Sequence, residues 1–244
     1  MKALIIILAV TVLGVIGIGL SRRHTSSATV VPLEPGMISY LPLGDSYTIG
    51  QSVAEQDRWP NQLVNRLQAD GVKLQLVANP SVTGYTTQNL IDKELPLLQR
   101  YHPAFVTILI GVNDYVQGVS AATFQENLTF IIDAVQRSQG TMPKLVLVTI
   151  PDYGRTPTGS RYGSPAESAV GIAAFNKIIT TVGNSRSLPV VDIFTISQGV
   201  SKDPSLTADD GLHPSAKQYT LWTTAIYNTI HDASLFTPKL QSQS

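Results

Sequence analysis

Residues 105–114 read FVTILIGVND. The first six are all apolar or β-branched, with no polar alternation. That is the pattern of a short strand covered on both faces, as in a parallel sheet. The run then stops on a glycine and two polar turn formers, which would emerge together at the carboxyl end of the strand. Similar runs occur at residues 38–43, 74–78, 145–150 and 190–194.

Helical spacing fills the intervals. Phe124, Leu128, Ile131, Ile132 and Val135 fall on one face of a helix, as do Tyr219, Trp222, Ile226 and Ile230. Pro60 is placed to open an earlier helix and Gly71 to close it. Pro96 interrupts another helical segment and breaks or kinks it. Strands alternating with helices of this length predict βαβ units and a parallel sheet. Right-handed crossovers then cover both faces, giving a three-layer α/β/α sandwich with about five strands. Pro42 cannot donate to a sheet ladder, so the expectation is that it stands at the very end of the first strand.

Composition narrows the function. Hydrophobic residues make up 43% and charged residues 14%, the reverse of a disordered chain. Lysine plus arginine and aspartate plus glutamate balance at 17 each, which leaves no basic excess for a nucleic-acid backbone. There is no cysteine, so thiolate metal sites and cysteine nucleophiles are excluded. Residues 3–20 are uncharged and almost wholly apolar, with Lys2 before them and Arg22 and Arg23 after. As a helix they would span about 27 Å, close to the hydrocarbon thickness of a bilayer. With no small-residue cleavage site close behind, residues 1–20 read as a membrane anchor, with a cleaved signal peptide as the alternative. The expected location is membrane-anchored with an extracytoplasmic domain, or secreted if the segment is cleaved. Residues 21–36 are Ser/Thr/Pro-rich and read as a linker, 37–232 as one folded domain, and 233–244 as a polar tail.

In open parallel sheets, ligands bind outside the carboxyl ends of the strands. Gly44, Asp45 and Ser46 follow the first run, Gly84 closes the segment after the second, and Asn113 and Asp114 follow the third. Asp210 and His213 come across a loop after the fifth. A serine needs a base to become a nucleophile at neutral pH; a histidine is such a base, and an aspartate fixes its tautomer and orientation. Asp210 and His213, three residues apart, fit on one short loop, and Asp209 is the alternative orienting residue. The oxyanion formed on attack would find donors in the Ser46 backbone, the Gly84 backbone and the Asn113 amide. Asp45 and Asp114 read as loop-stabilising. By chance arithmetic, G-D-S, G-x-N-D and D-x-x-H meet in one such chain about 5 times in 10,000.

This constellation resembles the SGNH hydrolase superfamily, the GDSL esterases and lipases, from about residue 38 to 230. Gly44-Asp45-Ser46 matches the first block, Gly84 the second, Gly111-Val112-Asn113-Asp114 the third and Asp210-Gly211-Leu212-His213 the last. Arg58-Trp59-Pro60 and Ile150-Pro151-Asp152-Tyr153-Gly154 look like a small bacterial branch. Tyr47 stands where the family name has leucine. The resemblance implies a flavodoxin-like sandwich and a serine esterase acting on a short-chain, lipid or carbohydrate ester. It assigns Ser46 as nucleophile, Asp210 and His213 as its partners, and Ser46, Gly84 and Asn113 as the oxyanion hole. No cofactor or metal is implied. Acyl transfer to an alcohol by the same residues, and a non-catalytic membrane-tethered binding domain, are the alternatives. The 151–166 loop, with Tyr153, Arg155, Arg161 and Tyr162, reads either as a rim of the site or as a solvated loop.

Overall fold

A computed structural model describes residues 32–138 and 142–236. The apolar segment and residues 21–31 of the linker lie outside the described residues, as do residues 237–244. Among the described residues, no helix is long and apolar enough to cross a membrane.

The chain runs through β1 (Ile38–Gly44), α1 (Ser46–Ile49), α2 (Trp59–Ala69), β2 (Leu74–Leu76), α3 (Thr87–Lys93), α4 (Leu98–Tyr101) and β3 (Phe105–Leu109). It continues through α5 (Val112–Val116), α6 (Ala121–Arg137), β4 (Lys144–Val148), α7 (Pro165–Ser185), β5 (Val190–Val191), α8 (Phe194–Ser197) and α9 (Ala216–Asp232). The five strands form one parallel sheet in the order β2-β1-β3-β4-β5. The step from β1 to β2 runs one way along the sheet and every later step runs the other way. Right-handed crossovers therefore put α2 on one face and α3, α6 and α7 on the opposite face. The packing agrees: α2 lies against α9, while α6 lies against both α3 and α7.

The local reasons are those of the sequence pattern. β3 is buried along its whole length. The predicted apolar stripes of α6 and α9 are buried too. Pro60 stands in the first turn of α2, and Gly71 follows its end at φ +84°. Pro96 falls in a single 3₁₀ turn that separates α3 from α4. The second and fifth runs are longer than their strands, because β2 ends at Leu76 and β5 at Val191. The domain expected over 37–232 also packs a little further: Phe236 meets Phe105 edge-on, with ring centroids 5.2 Å apart.

One expectation needs correction. Pro42 lies inside β1, opposite Thr107 of β3, and not at the end of the strand. Alternate residues of β1 turn their backbone groups toward β2. The Ile38 N–H donates to Lys73 O at 2.6 Å, and Tyr40 O accepts from the Val77 N–H at 3.0 Å. The next residue on that side is Pro42, where β2 has already ended, so its missing N–H breaks no ladder bond. Gly44 is the residue after that. Its N–H, with no strand to pair with, donates to Glu94 Oε2 at 3.0 Å.

Gly44 also stands where β1 and β3 leave no room for a side chain. A Cβ built there would lie 2.3 Å from Leu109 O of β3 and 2.3 Å from Thr48 Oγ1. The backbone oxygen cannot swing aside as a flexible side chain would. Gly44→Ala should therefore destabilise the fold by about 1–3 kcal/mol or more, the usual range for overpacking. Urea denaturation would show this as a lower midpoint with an unchanged slope.

Candidate active site

The strand order reverses at β1, between β2 and β3, which makes the carboxyl ends of β1 and β3 the crevice of the sheet. Ser46 follows β1 there and Asn113 follows β3. Ser46 is the first residue of α1, and Asp45 caps the helix by accepting from the Tyr47 N–H at 2.9 Å. This helix lasts one turn, because Gly50 takes a left-handed conformation and the Gly50 and Gln51 N–H groups both close on Ser46 O. The Trp59 indole, fully buried at the start of α2, donates to Tyr47 O at 3.1 Å and holds the turn from outside. The Arg58-Trp59-Pro60 segment thus serves the serine turn.

His213 sits in a short loop pinned at both ends. The Ala208 N–H donates to His213 O, and the Ser215 N–H donates to Leu206 O, each at 2.8 Å. Inside this loop Asp210 folds back on His213. Asp210 Oδ1 accepts from the N–H groups of Leu212 (2.8 Å) and His213 (2.9 Å). Asp210 Oδ2 lies 2.6 Å from His213 Nδ1, the geometry of an Nδ1–H donor that leaves Nε2 free. Burial works against ionisation of Asp210. The hydroxyl of Ser52, the two amides and the imidazole outweigh it and hold the carboxyl well below the usual range. The residue that meets the imidazole is therefore Asp210 and not Asp209.

The His213 ring is buried and tilts against Tyr47, with centroids 5.3 Å apart. Ser46 and His213 line one cavity of about 400 Å³, together with Asp210, Gly84 and Asn113. The Ser46 hydroxyl makes no hydrogen bond among the described residues. Gly84 has φ +85°, a left-handed backbone that a glycine adopts freely, and a Cβ there would meet nothing. Conformation, and not space, is therefore what asks for glycine. The Gly84 N–H has no acceptor among the described residues, and the Ser46 N–H, first in its helix, has no intrahelical one. The Asn113 amide donates to Tyr85 O at 3.0 Å and, more weakly, to Asp45 Oδ2 at 3.3 Å. Ser46, Gly84, Asn113, Asp210 and His213 are thus brought to one cavity.

The 151–166 loop is a rim of this cavity. Tyr153, Thr158, Arg161 and Tyr162 line it, opposite Val112 and Val116 of α5. Thr158 fastens the loop, its N–H donating to Gly211 O at 2.8 Å and its hydroxyl to Asp210 O at 3.2 Å. Arg155 is spent elsewhere, on Asp152 at 2.8 Å.

Three buried carboxyls lie under the site. Asp45 is pushed up to about 7, first by burial and also by the charge of Asp114, against the hydrogen bonds from Tyr47 and Asn113. Burial also raises Glu94 well above the ordinary range and raises Asp114. Asp114 accepts from the Thr87 N–H at 2.9 Å and from the Thr87 hydroxyl. Asp45 and Asp114 are loop ties, as their turn positions suggest. Glu94 and Ser52 carry no sequence signal: each is a polar residue in an ordinary setting, brought in from a distant part of the chain.

Comparison with known proteins agrees with this architecture. The profile of the GDSL-like Lipase/Acylhydrolase family matches residues 43–221. The chain belongs to that family, and it is an ester hydrolase. It is 26% identical to an arylesterase of Vibrio mimicus over 174 residues, covering 71% of this chain and 78% of that protein. It is 27% identical over 176 residues to thioesterase 1/protease 1/lysophospholipase L1 of Escherichia coli K12, covering 72% of this chain and 74% of that one. Among solved structures, a lipase/acylhydrolase from Enterococcus faecalis superposes with a TM-score of 0.64 at 25% identity. That match covers 81% of this chain and 97% of the other.

The buried Asp45 carboxyl has a measurable consequence. Its pKa is raised by folding, so the stabilisation it contributes is full below the ordinary carboxylate range and is lost as pH rises through about 7. Asp45→Asn keeps the cap and cannot ionise. The variant should lose less stability than the parent between about pH 4 and 8, as read by denaturant titration across that range.

Proposed function

We propose that the chain hydrolyses carboxylic esters through an acyl-enzyme formed on Ser46. His213 Nε2 takes the Ser46 proton as the hydroxyl attacks the acyl carbon, then delivers it to the leaving alkoxide. Asp210, on Nδ1, fixes the tautomer and stabilises the imidazolium. The Ser46 and Gly84 N–H groups and the Asn113 amide receive the oxyanion. For this, Asn113 gives up its longer bond, to Asp45, and keeps the one to Tyr85. Water, activated by His213 in the same way, then releases the acid. The observation that carries this reading is the Asp210–His213 pair lining one cavity with Ser46 and with two backbone N–H groups that have no acceptor among the described residues.

The lining supports an acyl or alcohol portion of modest size. Val112, Val116 and Leu212 give it an apolar surface, and Val116 and Tyr162 stand exposed at its edge. This suits a short-chain or lipid ester, and the names of the relatives point the same way. Acyl transfer to an alcohol would use the same residues and is not favoured by those names. A non-catalytic binding domain is set aside by membership of a hydrolase family.

Ser46→Ala should abolish turnover of p-nitrophenyl acetate by several orders of magnitude and leave the circular dichroism spectrum unchanged. A purified variant with parental turnover would overturn the assignment. Asn113→Ala should lower kcat by about 10²–10³, the usual worth of one oxyanion donor, with a smaller change in KM. An effect confined to KM would make Asn113 a substrate-binding residue instead.

A further inference from the structure

We propose that Ser52 is a positioning residue for the Asp210–His213 pair, holding the same aspartate oxygen that meets the imidazole. The inference rests on the assignment of Asp210 and His213 made above. The Ser52 hydroxyl donates to Asp210 Oδ2 at 2.7 Å. That is the same oxygen that lies 2.6 Å from His213 Nδ1. With the two backbone amides on Oδ1, Asp210 accepts four hydrogen bonds. Three come from its own loop, and the fourth, from Ser52, comes from 158 residues away in sequence. That bond ties the segment behind the nucleophile turn to the histidine loop. Without it, nothing on the nucleophile side fixes the carboxylate.

The backbone carries a second, separate observation. Ser52 has φ +69°, a region that side chains disfavour and glycine does not. Three other non-glycine residues, His102, Ser187 and Ser234, share a positive φ. Each of those closes a helix: His102 caps α4, while Ser187 and Ser234 follow the caps of α7 and α9. Ser52 closes none; it is the third residue of a turn in which the Val53 N–H donates to Gly50 O at 3.4 Å. Such a position takes glycine more readily than serine, so a serine there points to a use for its side chain. Glycine would be the easier residue here, but it has no hydroxyl to offer Asp210.

The two properties can be separated by substitution. Ser52→Gly removes the hydroxyl and relieves the backbone. It should keep or raise the melting temperature while kcat for p-nitrophenyl acetate falls about tenfold and KM changes little. Ser52→Ala removes the hydroxyl and keeps the strain, so kcat should fall similarly and the melting temperature should not rise. Combined with Asp210→Ala, Ser52→Gly should add no further loss, because its effect runs through the missing carboxylate. Parental kcat in Ser52→Gly, an effect on KM alone, or a full tenfold loss repeated in the Asp210→Ala background would each overturn the proposal. Asp210→Ala measured alone separates the two layers. If it turns over like the parent, the assignment of Asp210 fails and the role of Ser52 falls with it. If it is crippled while Ser52→Gly is not, only the role of Ser52 fails.

Discussion

The close approach of β1 and β3 at Gly44 is the constraint on which the site depends. The two strands meet there with no room for a Cβ, and each leads within one short turn to a group proposed for the chemistry, β1 to Ser46 and β3 to Asn113. Because β2 is short, one side of β1 is left without a partner just where it matters. Pro42 has no N–H to pair, and Glu94 accepts from the Gly44 N–H. Shortening β2 opens the crevice, and the buried carboxyl closes the backbone account that the shortening leaves open.

The chain uses one functional group in two opposite ways, and the surroundings decide which. Asp45, Asp114 and Glu94 are buried with few donors, so desolvation dominates and raises their pKa. Asp210 is nearer the surface and meets four donors, so it stays ionised far into acid. The proposed mechanism needs this division. A fixed negative charge belongs beside the imidazole. Beneath the oxyanion donors a full negative charge would oppose the one that develops on the substrate, and neutralising Asp45 weakens that opposition.

What was legible in the sequence was local. The unbroken run at 105–110 and the stripes of α6 and α9 express a period that burial imposes directly, so strands and helices could be placed. Asp210 and His213 are three residues apart, and the turn that joins them is a short-range matter. Pro42 was misplaced because the rule against proline in a ladder depends on which side its nitrogen faces and on where the neighbouring strand stops. Both are tertiary facts. Ser52 and Glu94 were invisible for the same reason. A serine after a helix and a glutamate on one are unremarkable until the fold brings a carboxylate and an orphaned N–H to them.

The rim is attached to the chemistry more directly than a surface loop needs to be. Thr158 is bonded through its N–H to Gly211 and through its hydroxyl to Asp210 O, so the 151–166 loop is fastened to the histidine loop. Arg161 and Tyr162, which meet the cavity, lie only a few residues beyond that fastening. A substrate that presses on the rim therefore presses on the backbone that presents Asp210. Ser52 opposes such a displacement, since it holds the same carboxylate from the segment that carries Ser46. The aspartate is thus the point where the nucleophile turn, the histidine loop and the substrate rim are joined, which accounts for its four donors where orientation of an imidazole alone would need one.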